Sequence, residues 1–554
     1  MFDEKLQNLF GSNSPVKKVE YTTSGNGALK LTSTGDPFVD QFGLISQYRQ
    51  LRPYSSVSKD METLWDIDPM YTLKLLFYIR MITRKVKLLN GTETSKVQKG
   101  AGLRHESFMR TLWLAVNHSE VFYKNLPLFI TIGCWKDIIQ LMSYDLQYHG
   151  WDNKVLDFDK MSDFILAGLE NPNTCNLVKK FLPTIKAKSK CTTLESQADT
   201  IIGKFLAHKL FGNGEFSPNL HSIKTYESYR KLKASGTAHQ WQQQISRGQF
   251  NIDFSKVHGR ALALLVSGKY LANHGLEKDY EEWIKKQPIA KFTGFVYELF
   301  KGLNDNSPLY KRYTIDKQFE GLIKTAKDSS STQSSFLVAR DTSGSMDSNV
   351  VGLNISSNEV AKSIALYFSY LLEGKFANSY VEFDRKTELK YWEGDSPSDK
   401  YLKNTSHAYG NTNFLGIADL FITIYKHTSI EKFPSGLICV SDGEWDACRG
   451  GKSSNKTNFQ LFKEKLLKAG FPKDYVDNFK IVLWDIPNNF YSFDEIRPKF
   501  ESFADTPNFF YMGGFDPAGI TFLLGGEVNK SVPKTPRELF EAAMNQEIMD
   551  YIQM

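Results

Sequence analysis

From residue 336 onward, short apolar and β-branched runs alternate with helix-periodic stretches, which restricts this part of the chain to an open parallel sheet covered on both faces. The expected strands are 336–341, 379–384, 436–441, 479–484 and 508–512, with helices at 357–373, 414–427, 457–469 and 493–504. In sheets of this kind ligands bind at the carboxyl ends of the strands. Several of those ends carry oxygen-bearing side chains.

In FLVARDTSGSMDSN (336–349) the oxygens of Asp341, Ser343 and Ser345 stand at i, i+2 and i+4, a spacing at which they converge on one point. Gly344 is expected to let the backbone fold back there without a Cβ clash. Thr412 lies where a Gly- and Asn-rich loop runs into a helix, and Asp442 follows the apolar run in GLICVSDGEWD. Hard oxygen donors of this type suit Mg²⁺ or Mn²⁺. The order DxSxS, Thr, Asp resembles the metal-ion-dependent adhesion site (MIDAS) of von Willebrand factor A domains.

The preceding sequence is different in kind. Residues 1–60 are rich in Gly, Ser, Thr and Pro and read as an extended arm that packs on another domain or forms an oligomer contact. Residues 61–326 carry amphipathic helical periodicity at 105–118, 120–132, 134–146, 159–170, 174–182, 197–211, 221–235, 255–273, 277–286 and 288–303. A bundle or helical-repeat solenoid follows from that pattern. KDSSSTQSS (327–335) is a polar joint, 336–530 the α/β unit, and 531–554 a C-terminal helical tail. The fold class expected is therefore multidomain, an all-α helical module followed by a doubly wound, Rossmann-like α/β domain.

At 554 residues the chain is too long for one core. Its 68 basic and 62 acidic groups leave a net charge of +6, which permits nucleic-acid binding without demanding it. No run of about 18 uncharged apolar residues exists, and MFDEKLQNLFG has no signal-peptide character, so a non-membrane protein of the cytoplasm, or of a virion, is expected. Cys134, Cys175, Cys191, Cys439 and Cys448 are an odd number without CxxC spacing, the pattern of a reduced compartment with no zinc site. No HExxH or phosphate-cradling motif is present.

GAGLRHESFMRTLWLAVNH (100–118), NLPLFITIGCWKDIIQL (125–141) and FNIDFSKVHGRAL (250–262), with CVSDGEWD, IVLWDIPNN and MGGFDPAGITFLLGG further on, resemble Ro60/TROVE proteins, ring-shaped binders of small non-coding RNAs. The wording is nearer to TROVE-like proteins of plants, fungi, bacteria and large viruses. The resemblance implies an RNA-binding helical module and a von Willebrand A module. Lys224, Arg230, Lys231, Lys233, Arg247, Lys256 and Arg260, interleaved with Tyr226, Tyr229, Trp241 and Phe250, are the candidates for phosphate contact and base stacking.

The metal motif contains no nucleophile–base pair, so a non-enzymatic role is expected, in which the ion accepts a carboxylate from a protein partner. A hydrolase would need a further carboxylate near the ion, such as Glu444 or Asp446. A structural or assembly protein, viral or phage, that uses the α/β unit for multimer contacts is the alternative.

Overall fold

The computed structural model describes residues 21–23, 26–45, 52–88, 91–236, 241–246, 248–268, 270–292, 294–329, 336–350, 353–405, 410–446, 456–486, 500–501, 503–513 and 532–554. An α-helical region is followed by a mixed sheet-and-helix region. The strands are β1 (Tyr21–Thr23), β2 (Leu29–Leu31), β3 (Phe336–Asp341), β4 (Ser379–Phe383), β5 (Thr387–Tyr391), β6 (Gly436–Ser441), β7 (Lys480–Asp485) and β8 (Phe509–Gly513). β1 and β2 form an antiparallel hairpin, and the rest form one sheet in the order β5-β4-β3-β6-β7-β8.

β3 and β6 are buried at every position, so they read as continuous apolar runs rather than alternating ones. Leu337, Ala339, Cys439 and Leu483 face one core with Ile417 and Phe462 from helices Gly416–Tyr425 and Asn458–Lys468. Val338, Val440, Val482 and Trp484 face the other, with Val360 and Ile364 from helix Ser357–Ser369. The second core runs on into the helical region. The chain leaves β3 for β4 on one side, while β6 pairs on the other, so the carboxyl ends of β3 and β6 border the crevice where the strand order reverses.

One strand of the sheet region departs from the expected all-parallel pattern. β5 pairs antiparallel with β4 as an edge strand. Its sequence TELKY is too polar to stand out as a strand, and its charged, half-exposed side chains suit an unpaired edge. The expected helix at 493–504 lies mostly outside the described residues.

The helices at 105–118, 120–132, 134–146, 159–170, 174–182, 197–211, 221–235 and 277–286 form within a few residues of their expected limits. The expected continuous helix 255–273 is instead broken into Phe254–Lys256, Arg260–Ser267 and Tyr270–Asn273. Gly259 takes a φ of +56° at the first break, a conformation that ends helical propagation. Of 288–303 only Val296–Phe300 is helical, after Pro288 and Gly294. The 21-residue helix Leu309–Ser329 has no counterpart in the sequence reading and runs into the polar joint.

The segment 1–60 is extended only in part. Helix Pro37–Gly43 is capped by Asp36, whose carboxylate accepts from Phe38 and Val39 N–H, and helix Tyr54–Ile67 opens within it. Its described portion packs inside the chain: Phe38 contacts Tyr71 of the helical region and Phe540 of helix Pro536–Met544. The C-terminal tail closes back on the helical region, where Lys99 N–H donates to Gln546 Oε1 (2.6 Å) and Ile548 N–H to Gln98 Oε1 (3.0 Å). No helix among the described residues is long and apolar enough to cross a membrane.

Candidate metal centre

Asp341 is the last residue of β3 and is fully buried, paired with Phe383 of β4, while the pairing with β6 ends one residue earlier at Arg340. Its Oδ1 accepts the Ser343 N–H at 2.8 Å, and its Oδ2 accepts the Ser441 hydroxyl at 2.5 Å. Ser441 Oγ is itself held by Trp445 Nε1–H (2.8 Å) and Gly443 N–H (2.9 Å). Ser343 opens the 3₁₀ turn Gly344–Asp347, which brings the Ser343 and Ser345 hydroxyls to 3.2 Å from each other. Three of the five candidate oxygens are thus gathered by one turn.

Asp442 and Thr412 arrive on neighbouring loops, and both are buried. Asp442 Oδ1 accepts Glu444 N–H (3.2 Å), and Gly443 between them has a φ of +71° that favours glycine. The Thr412 carbonyl accepts Asp446 N–H at 3.0 Å, which stitches the Thr412 and Asp442 loops together. Burial, and then the charge of Asp442, push the Asp341 carboxyl above its usual range, while hydrogen bonds from Ser441 and Ser343 oppose the shift.

Two buried carboxylates, the charge of one felt by the other, with the Ser343, Ser345 and Ser441 hydroxyls about the Asp341 turn, form an oxygen-rich, electronegative place that a hard divalent cation would neutralise. Among the described residues no group of three or more His, Cys, Asp or Glu side chains is placed to hold a metal ion. A centre here would rest on two carboxylates, Asp341 and Asp442, and three hydroxyls, a donor set that fits Mg²⁺ or Mn²⁺ and suits softer metals poorly. Gly344 is exposed, has no left-handed φ, and a Cβ there would meet nothing within 4 Å. The turn therefore does not require glycine, contrary to the expectation from sequence.

Glu444 and Lys30 are residues that sequence reasoning did not join. Glu444 Oε1 lies 3.5 Å from Lys30 Nζ of β2, and both side chains are buried. Nothing local in the sequence signals a pairing across more than 400 positions.

The basic candidates do not fall on one surface. Lys224, Arg230 and Lys231 are exposed on helix Ile223–Ser235, with Glu227 among them. Lys233 is half-buried and donates to the Leu182 carbonyl, and burial lowers its pKa. Lys256 pairs with Asp253 at 3.1 Å, Arg260 pairs with Glu298, and Arg247 lies outside the described residues. Tyr226, Tyr229 and Trp241 are buried, so the stacking platform expected of them is core instead, and only Phe250 is exposed, stacked on His274. A basic group missed in the sequence lies beside the helix: Lys186, Lys188 and Lys190 are exposed on a segment whose Pro183 carbonyl accepts the Tyr229 hydroxyl at 3.0 Å.

A helical region whose core continues into one face of an α/β sheet, with oxygen donors at that sheet's strand ends, is the class of architecture these observations define. Residues 24–163 match a family described as a domain of unknown function (DUF2828), a match that takes in β2 and the first helices. No curated protein matches the chain. A distant, partial structural likeness is to the RO (RSR) protein of Deinococcus radiodurans, at 13% identity and a TM-score of 0.33, covering 80% of this chain and 88% of that one.

Proposed function

We propose that the chain is a non-enzymatic binding protein that holds Mg²⁺ or Mn²⁺ on Asp341, Ser343, Ser345, Thr412 and Asp442 and, through the ion, an acidic side chain of a protein partner. The observation that carries this reading is the gathering of oxygens at the strand-end crevice: the buried Asp341 carboxylate bonded to Ser343 N–H and the Ser441 hydroxyl, the Ser343 and Ser345 hydroxyls 3.2 Å apart, and the buried Asp442 directly after β6. When bound, the ion supplies a Lewis-acidic position for an incoming carboxylate. The chain's own part is to hold the donors: β3 and β6 fix the two aspartates, and Ser441 orients Asp341. The open space at Gly344 leaves room for a ligand to approach. Glu444, one of the two carboxylates, with Asp446, that a hydrolase could place beside the ion, pairs with Lys30.

The test is binding of a Glu-bearing peptide to the immobilised full chain. Mg²⁺ should be required, EDTA should release the peptide, and Thr412→Ala should weaken binding about tenfold, the cost of roughly one ligand interaction at ~1.4 kcal/mol. Metal-dependent cleavage of RNA or a phosphoester, lost in Asp442→Ala, would contradict the reading and place the chain among hydrolases.

RNA binding through the helical region is a second reading, favoured by the exposed Lys224, Arg230 and Lys231 with Lys186, Lys188 and Lys190 beside them. Changing Lys224, Arg230 and Lys231 together to Glu should weaken single-stranded RNA binding at least about tenfold at ~100 mM salt. The slope of log K against log salt should become shallower by about 2, for three lost phosphate contacts. Equal binding by both proteins, or none by either, favours the assembly role.

A further inference from the structure

The β1–β2 hairpin sits against the loop that carries Asp442. Asn26 Nδ2–H donates to the Glu444 carbonyl at 2.6 Å, and Gly27 bridges antiparallel to Asp446. Ala28 is buried in the same core as Trp445 and Phe459, and Leu31 N–H donates to the Phe500 carbonyl at 2.8 Å. Lys30 is only 3% exposed and pairs with Glu444 at 3.5 Å; burial raises the pKa of the neighbouring Glu501, and the Lys30 charge opposes that shift. Asn26, Gly27 and Lys30, far from the α/β unit in sequence, therefore hold Glu444 and Asp446, and the Asp446 N–H in turn donates to the Thr412 carbonyl.

We infer that Asn26 and Lys30 are positioning residues for the metal centre: the docked hairpin clamps the Asp442 and Thr412 loops in the arrangement that gathers the five oxygens. The inference rests on the proposed metal site. Undocking the hairpin would leave the buried Glu444 carboxylate without the Lys30 ammonium and its carbonyl without the Asn26 amide, which couples hairpin and loop. By linkage, an ion that needs the loops in place tightens the hairpin by the same factor by which the hairpin tightens the ion.

The sign of the Lys30 effect separates positioning from charge. Removing a cation beside two carboxylates would by itself raise the affinity for another cation. Positioning demands the opposite. In the full chain, Lys30→Met and the charge-neutral Asn26→Ala should each lower Mn²⁺ affinity about fivefold or more by titration calorimetry, with Lys30→Arg closer to wild type. Mn²⁺ should also slow hydrogen exchange at the amides of residues 27–31 in the wild type.

Unchanged or tighter Mn²⁺ binding by folded Asn26→Ala, with no change in hairpin exchange on adding Mn²⁺, would overturn the clamp and leave the metal site standing. If Lys30→Met does not fold, Asn26→Ala and the exchange measurement decide alone. No Mn²⁺ binding by the wild type would remove the metal site and the clamp together.

Discussion

Glu106→Ala should cost about 3–5 kcal/mol, because it strips the shared partner from two buried guanidinium groups. Glu106 Oε1 accepts from Arg52 Nη1 (2.9 Å) and from Arg110 Nε (2.8 Å), and Glu106 and Arg110 are fully buried. Arg110 also donates to Gln41 Oε1 at 2.7 Å, and Arg52 to Ser56 Oγ at 3.0 Å. The network thus joins helix Pro37–Gly43, the start of helix Tyr54–Ile67 and helix His105–Asn117. Urea unfolding followed by circular dichroism should show the loss, and Glu106→Gln, which keeps an acceptor, should lose less. A loss below about 1 kcal/mol would mean that both arginines find other partners.

Asp341→Asn should separate the charge of the centre from its shape. The Asp341 carboxyl is held above its ordinary value of 3.8 by burial and by Asp442. A carboxyl raised in the folded state favours folding in its protonated form, and that contribution is lost as the pH rises above the unfolded value towards the raised one. Without metal, the wild type should therefore lose stability relative to Asp341→Asn between acid and neutral pH, by about 1 kcal/mol or more. Adding Mn²⁺ at about a hundred times its dissociation constant should return about 2.7 kcal/mol to the wild type at neutral pH and nothing to the variant. Thermal melts across pH, with and without Mn²⁺, read both effects. Parallel pH profiles for the two proteins would show that Asp341 carries no such charge penalty.

Strong periodicity made most of the helices and five of the six strands of the sheet legible in the sequence. β3 and β6 open on apolar runs, FLVA and GLICV, because both faces are covered, and a run of that kind announces itself. β5 did not, since an exposed edge strand carries charges where a buried one carries valine. Helix Leu309–Ser329 was hidden by its polarity, with charged residues spread along most of its length.

At the candidate metal centre, the placement of Asp341, Ser343 and Ser345 about one turn follows from local spacing. The roles of Ser441, Trp445, Lys30 and Glu444 do not, because each depends on a contact between segments that the sequence keeps apart. RHESFMR in residues 104–110 was legible as a distinctive string but not as a buried ion network. The Glu106–Arg110 spacing of four on an otherwise apolar helix was the available signal. The basic run 221–260 misled for a related reason. Charge is visible in sequence, whereas the division of that run between two cores is visible only in the fold, with Tyr229 in one and Trp241 and Phe254 in the other.

Titration calorimetry of the purified full chain with Mn²⁺ at neutral pH tests the central claim most directly. One Mn²⁺ should bind per chain, and Asp341→Ala should abolish the heat while leaving the circular dichroism spectrum intact, since Asp341 ends β3 and its side chain takes no part in the strand ladder. Unchanged Mn²⁺ affinity in Asp341→Ala, or no binding by the wild type, would contradict it.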